Sequence, residues 1–102
     1  MPRLISTILA GVFRFDAVVR REGVRGRRIA IPVPVVRGLL RTGWNRRASL
    51  RLAIGKVVWT TLARRMGGAV VVALPKDCVG VVGDVVAIEL WQAAPVAREY
   101  VD

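Results

Sequence analysis

Arginine is the residue type in this chain best suited to chemistry with a partner, and it is clustered. Arg20, Arg21, Arg25, Arg27 and Arg28 lie close together, Arg46, Arg47 and Arg51 follow, and then Arg64 and Arg65. The guanidinium fork matches the oxygens of a phosphate or carboxylate and keeps its charge at any ordinary pH. From Arg20 to Arg65 the chain carries twelve arginines and Lys56 against a single acid, Glu22, a local excess of +12. The rest carries four cations against six acids, −2, within a net charge of +10. So uneven a distribution points to a polyanion, DNA or RNA held mainly by its phosphates. The plainer reading is a set of separate solvated segments whose charge serves solubility.

Trp44 stands among these cations in "RTGWNRR". It reads either as a platform on which unpaired bases stack or as an indole folded back over the edge of the core, its N–H wet. Asp84, in "VGDVV", reads as an acid free to bind a cation or a ligand hydroxyl, or as a turn residue that accepts bonds from nearby backbone N–H groups. Asp77 in "LPKD" reads as a cap for the turn after Pro75. Cys78, beside Val79, reads as a small buried hydrophobe; a reactive thiol needs a lowered pKa, which only the nearby Lys76 suggests.

Catalysis has little to work with. The chain contains no histidine, so Cys–His and Ser–His pairs are excluded within it. One cysteine and no histidine make no soft metal site, and no catalytic residue, metal or cofactor is expected. The glycine segments "GVRG" and "GVVGD" lack the strand–loop–helix setting of a nucleotide fingerprint.

The elements that must position these residues are mostly strands. A chain of 102 residues, 54% hydrophobic and rich in valine, is expected to form one domain, 1–102. "FRFDAVVR" (Phe13–Arg20) alternates as a half-buried strand. "REGVRGRR" (Arg21–Arg28) reads as a loop, "IAIPVP" (Ile29–Pro34) as a strand ended by proline, and Val35–Gly43 as a short helix. "RRASLRLAI" (Arg46–Ile54) and "VVWTTLA" (Val57–Ala63) read as a hairpin about Gly55-Lys56, with Arg64–Gly68 as the next turn. Ala69–Leu74 and Asp84–Trp91 read as the last strands, and residues 92–102 as extended or frayed. "IAIPVPVVRGLL" before "RASLRL" and "VALPKDCVGVV" before "GDVVAIEL" form an internal repeat: strand, proline, short helical turn, glycine bend, strand. The expectation is a small closed β-barrel with two helical connectors and pseudo-twofold units. No apolar run approaches the ~20 residues of a membrane span, and Leu4–Phe13 is read as no leader. A single cysteine suits a reducing, cytoplasmic setting.

Over Phe13 to Leu90 the chain resembles the bacterial family described as domain of unknown function 1905. The residues that carry this are "FRFDAVV", "IAIPVPVV", "RRASLRLAI", "IGKVVWTTLARRMGGAVVVALPKD" and "VGDVVAIEL", in that order. The resemblance implies a double-split β-barrel, similar in fold to AbrB- and MazE-type regulators, and supplies no reaction. The expected function is a non-enzymatic binding module for nucleic acid or another polyanion. The alternatives are a small-molecule-binding barrel lined by Trp44, Trp59 or Trp91, and a structural domain that acts as a homo-oligomer.

Overall fold

A computed structural model of the protein describes residues 11–93. Its eight strands are β1 (Val12–Val18), β2 (Arg20–Glu22), β3 (Gly26–Ile31), β4 (Leu50–Ile54), β5 (Val57–Thr61), β6 (Arg64–Met66), β7 (Ala69–Ala73) and β8 (Val85–Gln92). One helix, α1 (Val33–Arg41), lies between β3 and β4. The strands form two antiparallel four-stranded sheets, ordered β1-β8-β4-β5 and β2-β3-β7-β6.

Period-two alternation builds the core. Ile29 and Ile31 of β3, Leu50, Leu52 and Ile54 of β4, and Val86, Ile88 and Leu90 of β8 point inward into one cluster. Phe13 and Ala17 of β1 join them, as the alternation of that strand predicts. The two sheets are bridged by chain continuity at their outer strands. Only Val19, fully buried, separates β1 from β2, and only Leu62-Ala63 separates β5 from β6. Each of these stretches runs from the edge of one sheet to the edge of the other.

The internal repeat reappears in the pairing. Exchanging β1 with β5, β2 with β6, β3 with β7 and β4 with β8 leaves every strand pairing unchanged. Pro32 and Pro75 then fall at the same place, just after the third strand of each half.

Several expected boundaries move, each for a local reason. Arg21–Arg28, expected as a loop, is a hairpin: β2 and β3 pair around the turn Gly23–Arg25. Its arginines hide the alternation, since a strand with cations on both faces shows no apolar period. Arg64–Met66 is likewise strand, and only Gly67-Gly68 turns. The helix starts at Val33, because Pro34 lies in a first turn that needs no N–H from it. The strand expected from Arg46 begins at Leu50; Asn45 diverts the preceding residues by accepting the Arg47 N–H on its Oδ1 (2.8 Å). The second connector, Pro75–Asp84, forms turns, so among the described residues there is one helical connector where two were expected. Within the expected frayed tail, Gln92 belongs to β8; residues 94–102 lie outside the described residues.

The two connectors close their ends differently. Helix α1 presents Val35, Gly38 and Leu39 to the core. Gly38 lies directly over the Phe13 ring: a Cβ there would stand 2.6 Å from Cε2 and 2.9 Å from Cζ. The helix end is bonded back by the Thr42 hydroxyl and the Trp44 N–H, both donating to the Leu39 carbonyl (2.7 and 3.1 Å). The Pro75–Asp84 segment has no helix to cover its end of the core. It is held by hydrogen bonds and leaves a depression on the surface.

Candidate anion-binding groove

That depression is an open groove of about 810 Å³ between the β2–β3 hairpin and the Pro75–Asp84 turns. Its floor is set by Arg27. On β3, Arg27 shares the inward face with Ile29 and Ile31. Its fork is spent on backbone. Nη2 donates to the carbonyls of Pro75 (2.8 Å) and Lys76 (3.3 Å), and Nη1 to that of Gly80. Gly80 adopts φ +115°, and a Cβ there would stand 3.1 Å from Val86 Cγ1, so the turn brings its carbonyl to Arg27 only with glycine.

Asp84 completes the turn. Its Oδ2 accepts the Val81 N–H (2.9 Å) and its carbonyl accepts the Val19 N–H (2.8 Å), while Val19 returns its carbonyl to the Gly83 N–H (2.8 Å). The carboxylate is therefore engaged in the bend, and Asp84 serves as the acceptor that the turn reading described. Cys78 is 4% exposed, beneath the groove. Burial pushes its thiol above the ordinary value, the Arg27 charge pulls it down, and Asp77 adds to the rise. A buried thiol held protonated is a poor nucleophile.

Arg21 and Arg25 stand exposed on the hairpin and line the groove with Lys76. Their setting is electrostatically uncomfortable. In the hairpin register Arg20 lies opposite Arg28, and Arg21 opposite Arg27. Directly opposed like charges destabilise a sheet. Glu22, the one acid of the hairpin, is taken: its Oε2 pairs with Arg64 across from β6, and its Oε1 is buried without a partner. The other described ion pair, Arg14–Glu89 at 2.9 Å, lies on the first sheet. Arg28 turns its Nη1 to the Arg21 carbonyl, which straps the hairpin and discharges nothing.

The other candidate residues lie elsewhere. Arg46 and Arg47 occupy the exposed turn after α1, and Arg51 extends from β4, its Nη1 3.3 Å from Thr60 Oγ1. Arg65 is exposed on β6, and Arg64 is committed to Glu22. None of these five lines the groove, and neither do Arg20 and Arg28, which alternate to the other face of the hairpin from Arg21 and Arg27.

Trp44 is corrected outright as a stacking platform. It is 3% exposed, inside the core cluster, and its indole N–H donates to the Ala48 carbonyl (3.0 Å). The Asn45 turn folds the chain back over the ring and dries both its face and its N–H. Trp59 donates its own N–H to the Ala73 carbonyl (3.1 Å). Trp91 lines a smaller cleft of about 320 Å³ with Phe13 and Leu39, away from the arginine hairpin.

Sequence reasoning passed over Lys76 as a groove residue, and with it the valines at the rim. Val24 is 85% exposed at the hairpin tip, and Val81 and Val82 are exposed on the facing turn. Val24 carried a local signal, an apolar residue stranded between Gly23 and Arg25 where a turn calls for polar side chains. No family model, curated protein or solved structure matches the chain.

Proposed function

We propose that the chain is a non-enzymatic binding module that holds a polyanion, nucleic acid in the first instance, on the β2–β3 hairpin. One observation carries this reading: two pairs of arginines, one pair on each face of the hairpin, are opposed in cross-strand register while the hairpin's one acid, Glu22, is already paired. An external run of phosphates relieves that repulsion, which Glu22, committed to Arg64, does not. Arg20, Arg21, Arg25 and Arg28 make the contacts, with Lys76 at the side; Arg27 holds the turn and contributes only its field. The lack of histidine, the engaged carboxylate of Asp84 and the buried thiol of Cys78 favour a binding role over turnover.

The same proposal extends to the architecture. The sheets close as a six-stranded double-split barrel, as the resemblance to domain of unknown function 1905 implies. In its favour are the two strands that pass from sheet to sheet and the Glu22–Arg64 pair, which joins the two edge strands of the second sheet. Amides of β2 and β6 that exchange as fast as those of a free edge would count against closure.

Binding is tested by titrating a short labelled duplex with protein at several salt concentrations. Log K is expected to fall linearly with log salt, by about 0.9 for each phosphate neutralised. Replacing Arg20, Arg21, Arg25 and Arg28 together by Gln should flatten the slope by about two to four units. No binding at micromolar protein in about 100 mM salt, or a slope indifferent to the quadruple change, overturns the reading.

A further inference from the structure

The groove beside the hairpin is more than a cationic surface. A site for phosphate backbone alone needs charge and hydrogen-bond donors, and it gains nothing from hydrocarbon. Here Val24, Val81 and Val82 stand 85%, 67% and 46% exposed around the same depression that Arg21, Arg25 and Lys76 line. The base is apolar too: Leu74 and Cys78 are nearly closed to solvent, and the one polar group among them, the Arg27 guanidinium, already has three carbonyl partners. Exposed apolar side chains gathered in one place and rimmed by charge mark an interaction site. At about 810 Å³ the groove also lies within the ~300–1,000 Å³ of ordinary small-ligand sites.

We infer that this groove binds a single-chain amphiphilic anion: an oxyanion head, carboxylate or phosphate, on a hydrocarbon tail. The head sits against Arg21, Arg25 and Lys76, where charge-assisted bonds are strongest. The tail lies along Val24, Val81 and Val82 over Leu74 and covers the apolar surface that water now meets. Both parts of the lining are then used, which neither a purely polar polyanion nor a neutral apolar molecule achieves. The inference is separate from the nucleic-acid reading but shares Arg21 and Arg25 with it, so an amphiphile and a duplex exclude one another. The occupant is the free amphiphile; the surface of a lipid bilayer is the competing source of the same chemistry.

The experiment follows backbone amides of the intact ¹⁵N-labelled protein by NMR during titration with laurate and, separately, dodecyl phosphate, each below its micellar concentration. Saturable shifts centred on residues 21–27 and 74–82 are expected with one head group or both, and the tighter of the two identifies the head group the site prefers. Dodecyl maltoside, which has the tail and no charge, and butyrate, which has the charge and almost no tail, should each bind about tenfold or more weakly. Val24→Ser with Val81→Ser, both at exposed positions that leave the fold intact, should weaken laurate and dodecyl phosphate about tenfold and leave the salt slope for duplex DNA unmoved. Arg21→Gln with Arg25→Gln should weaken both kinds of ligand. If the unaltered protein binds the amphiphiles and no duplex, the nucleic-acid reading alone falls; amphiphile binding that survives the double arginine change overturns the inference. Shifts centred on the Trp91 cleft, equal affinity for the maltoside, indifference to the valine changes, or binding only to anionic vesicles overturns the inference.

Discussion

Pro32 and Pro75 begin two connectors that occupy the same place in the two halves of the fold, and they finish the same task by opposite means. After Pro32 the chain winds α1, lays Val35 and Leu39 on the core, fits Gly38 against the Phe13 ring and folds Trp44 inside. After Pro75 it makes two turns, tied by the Arg27 fork and the Asp84 carboxylate, and leaves valines in solvent. The first end is sealed with hydrocarbon; the second is pinned with hydrogen bonds and stays open. The sealed half shows that the open end is not demanded by the repeated topology.

If the sealed end rests on packing, truncation there is severe. Leu39→Ala, at a side chain 1% exposed, should cost about 2–5 kcal/mol. Val82→Ala, on the open turn, should stay within about 0.5 kcal/mol. Urea denaturation of both variants measures the contrast. Comparable losses would mean that the open end is packed after all.

The open end should break instead at its polar pin. Arg27→Ala removes a charged donor from three carbonyls and is expected to cost about 2–3 kcal/mol, since hydrogen bonds to charged groups contribute about 1.5–3 kcal/mol and do not add. Arg27→Lys keeps the charge and loses the fork, so it should recover less than half of that loss. Amide exchange localises the effect: the Cys78 N–H, bonded to the Pro75 carbonyl at 3.2 Å, should exchange faster while amides of α1 keep their protection. Full rescue by lysine would assign the pin to charge rather than to geometry.

This contrast was only partly legible in the sequence, and the reasons are physical. The repeated strand–proline–bend–strand unit could be read, because alternation and proline act over a few residues. The arginine hairpin could not, because strand pairing is a backbone property and cations on both faces erase its period. Trp44 looked like a platform because its neighbours in sequence are cations; the Asn45 turn and the core decide its fate. Arg27 looked like a partner for phosphate, and only the approach of Gly80, over fifty residues away, shows that it is spent. The groove itself joins segments that far apart, so its mixed lining was visible piecemeal, as "GVRG" and "CVGVVGD", and never as a unit.

A smaller effect tests how tightly the sealed end is fitted. Gly38→Ala should gain about 1 kcal/mol from helix propensity. It also sets a methyl 2.6 Å from a ring that is 3% exposed, and overpacking of that kind costs about 1–3 kcal/mol. The expected net is a loss of about 1 kcal/mol, reversed when Phe13→Leu makes space. A stabilised single variant would show slack between α1 and β1.

The smallest effect is at Cys78, under the open groove, and it has a definite sign. Burial raises the folded thiol above its unfolded value, the opposing pull of Arg27 notwithstanding. The folded state therefore holds the proton longer than the unfolded chain. The resulting contribution to stability is whole below the unfolded value of about 8.5 and declines as pH rises through it toward the raised folded value. Cys78→Ala should remove that alkaline decline, so the two stability curves, measured by urea denaturation between about pH 7 and 10, converge as pH rises. Labelling with a thiol reagent reads the same burial kinetically. The native protein should react far more slowly than the urea-unfolded chain, and Arg27→Ala, which frees the turn above the thiol, should accelerate the reaction although it removes the one charge that favours the thiolate. Slower labelling in that variant would mean that the charge of Arg27, rather than the cover its hydrogen bonds hold in place, governs access to Cys78.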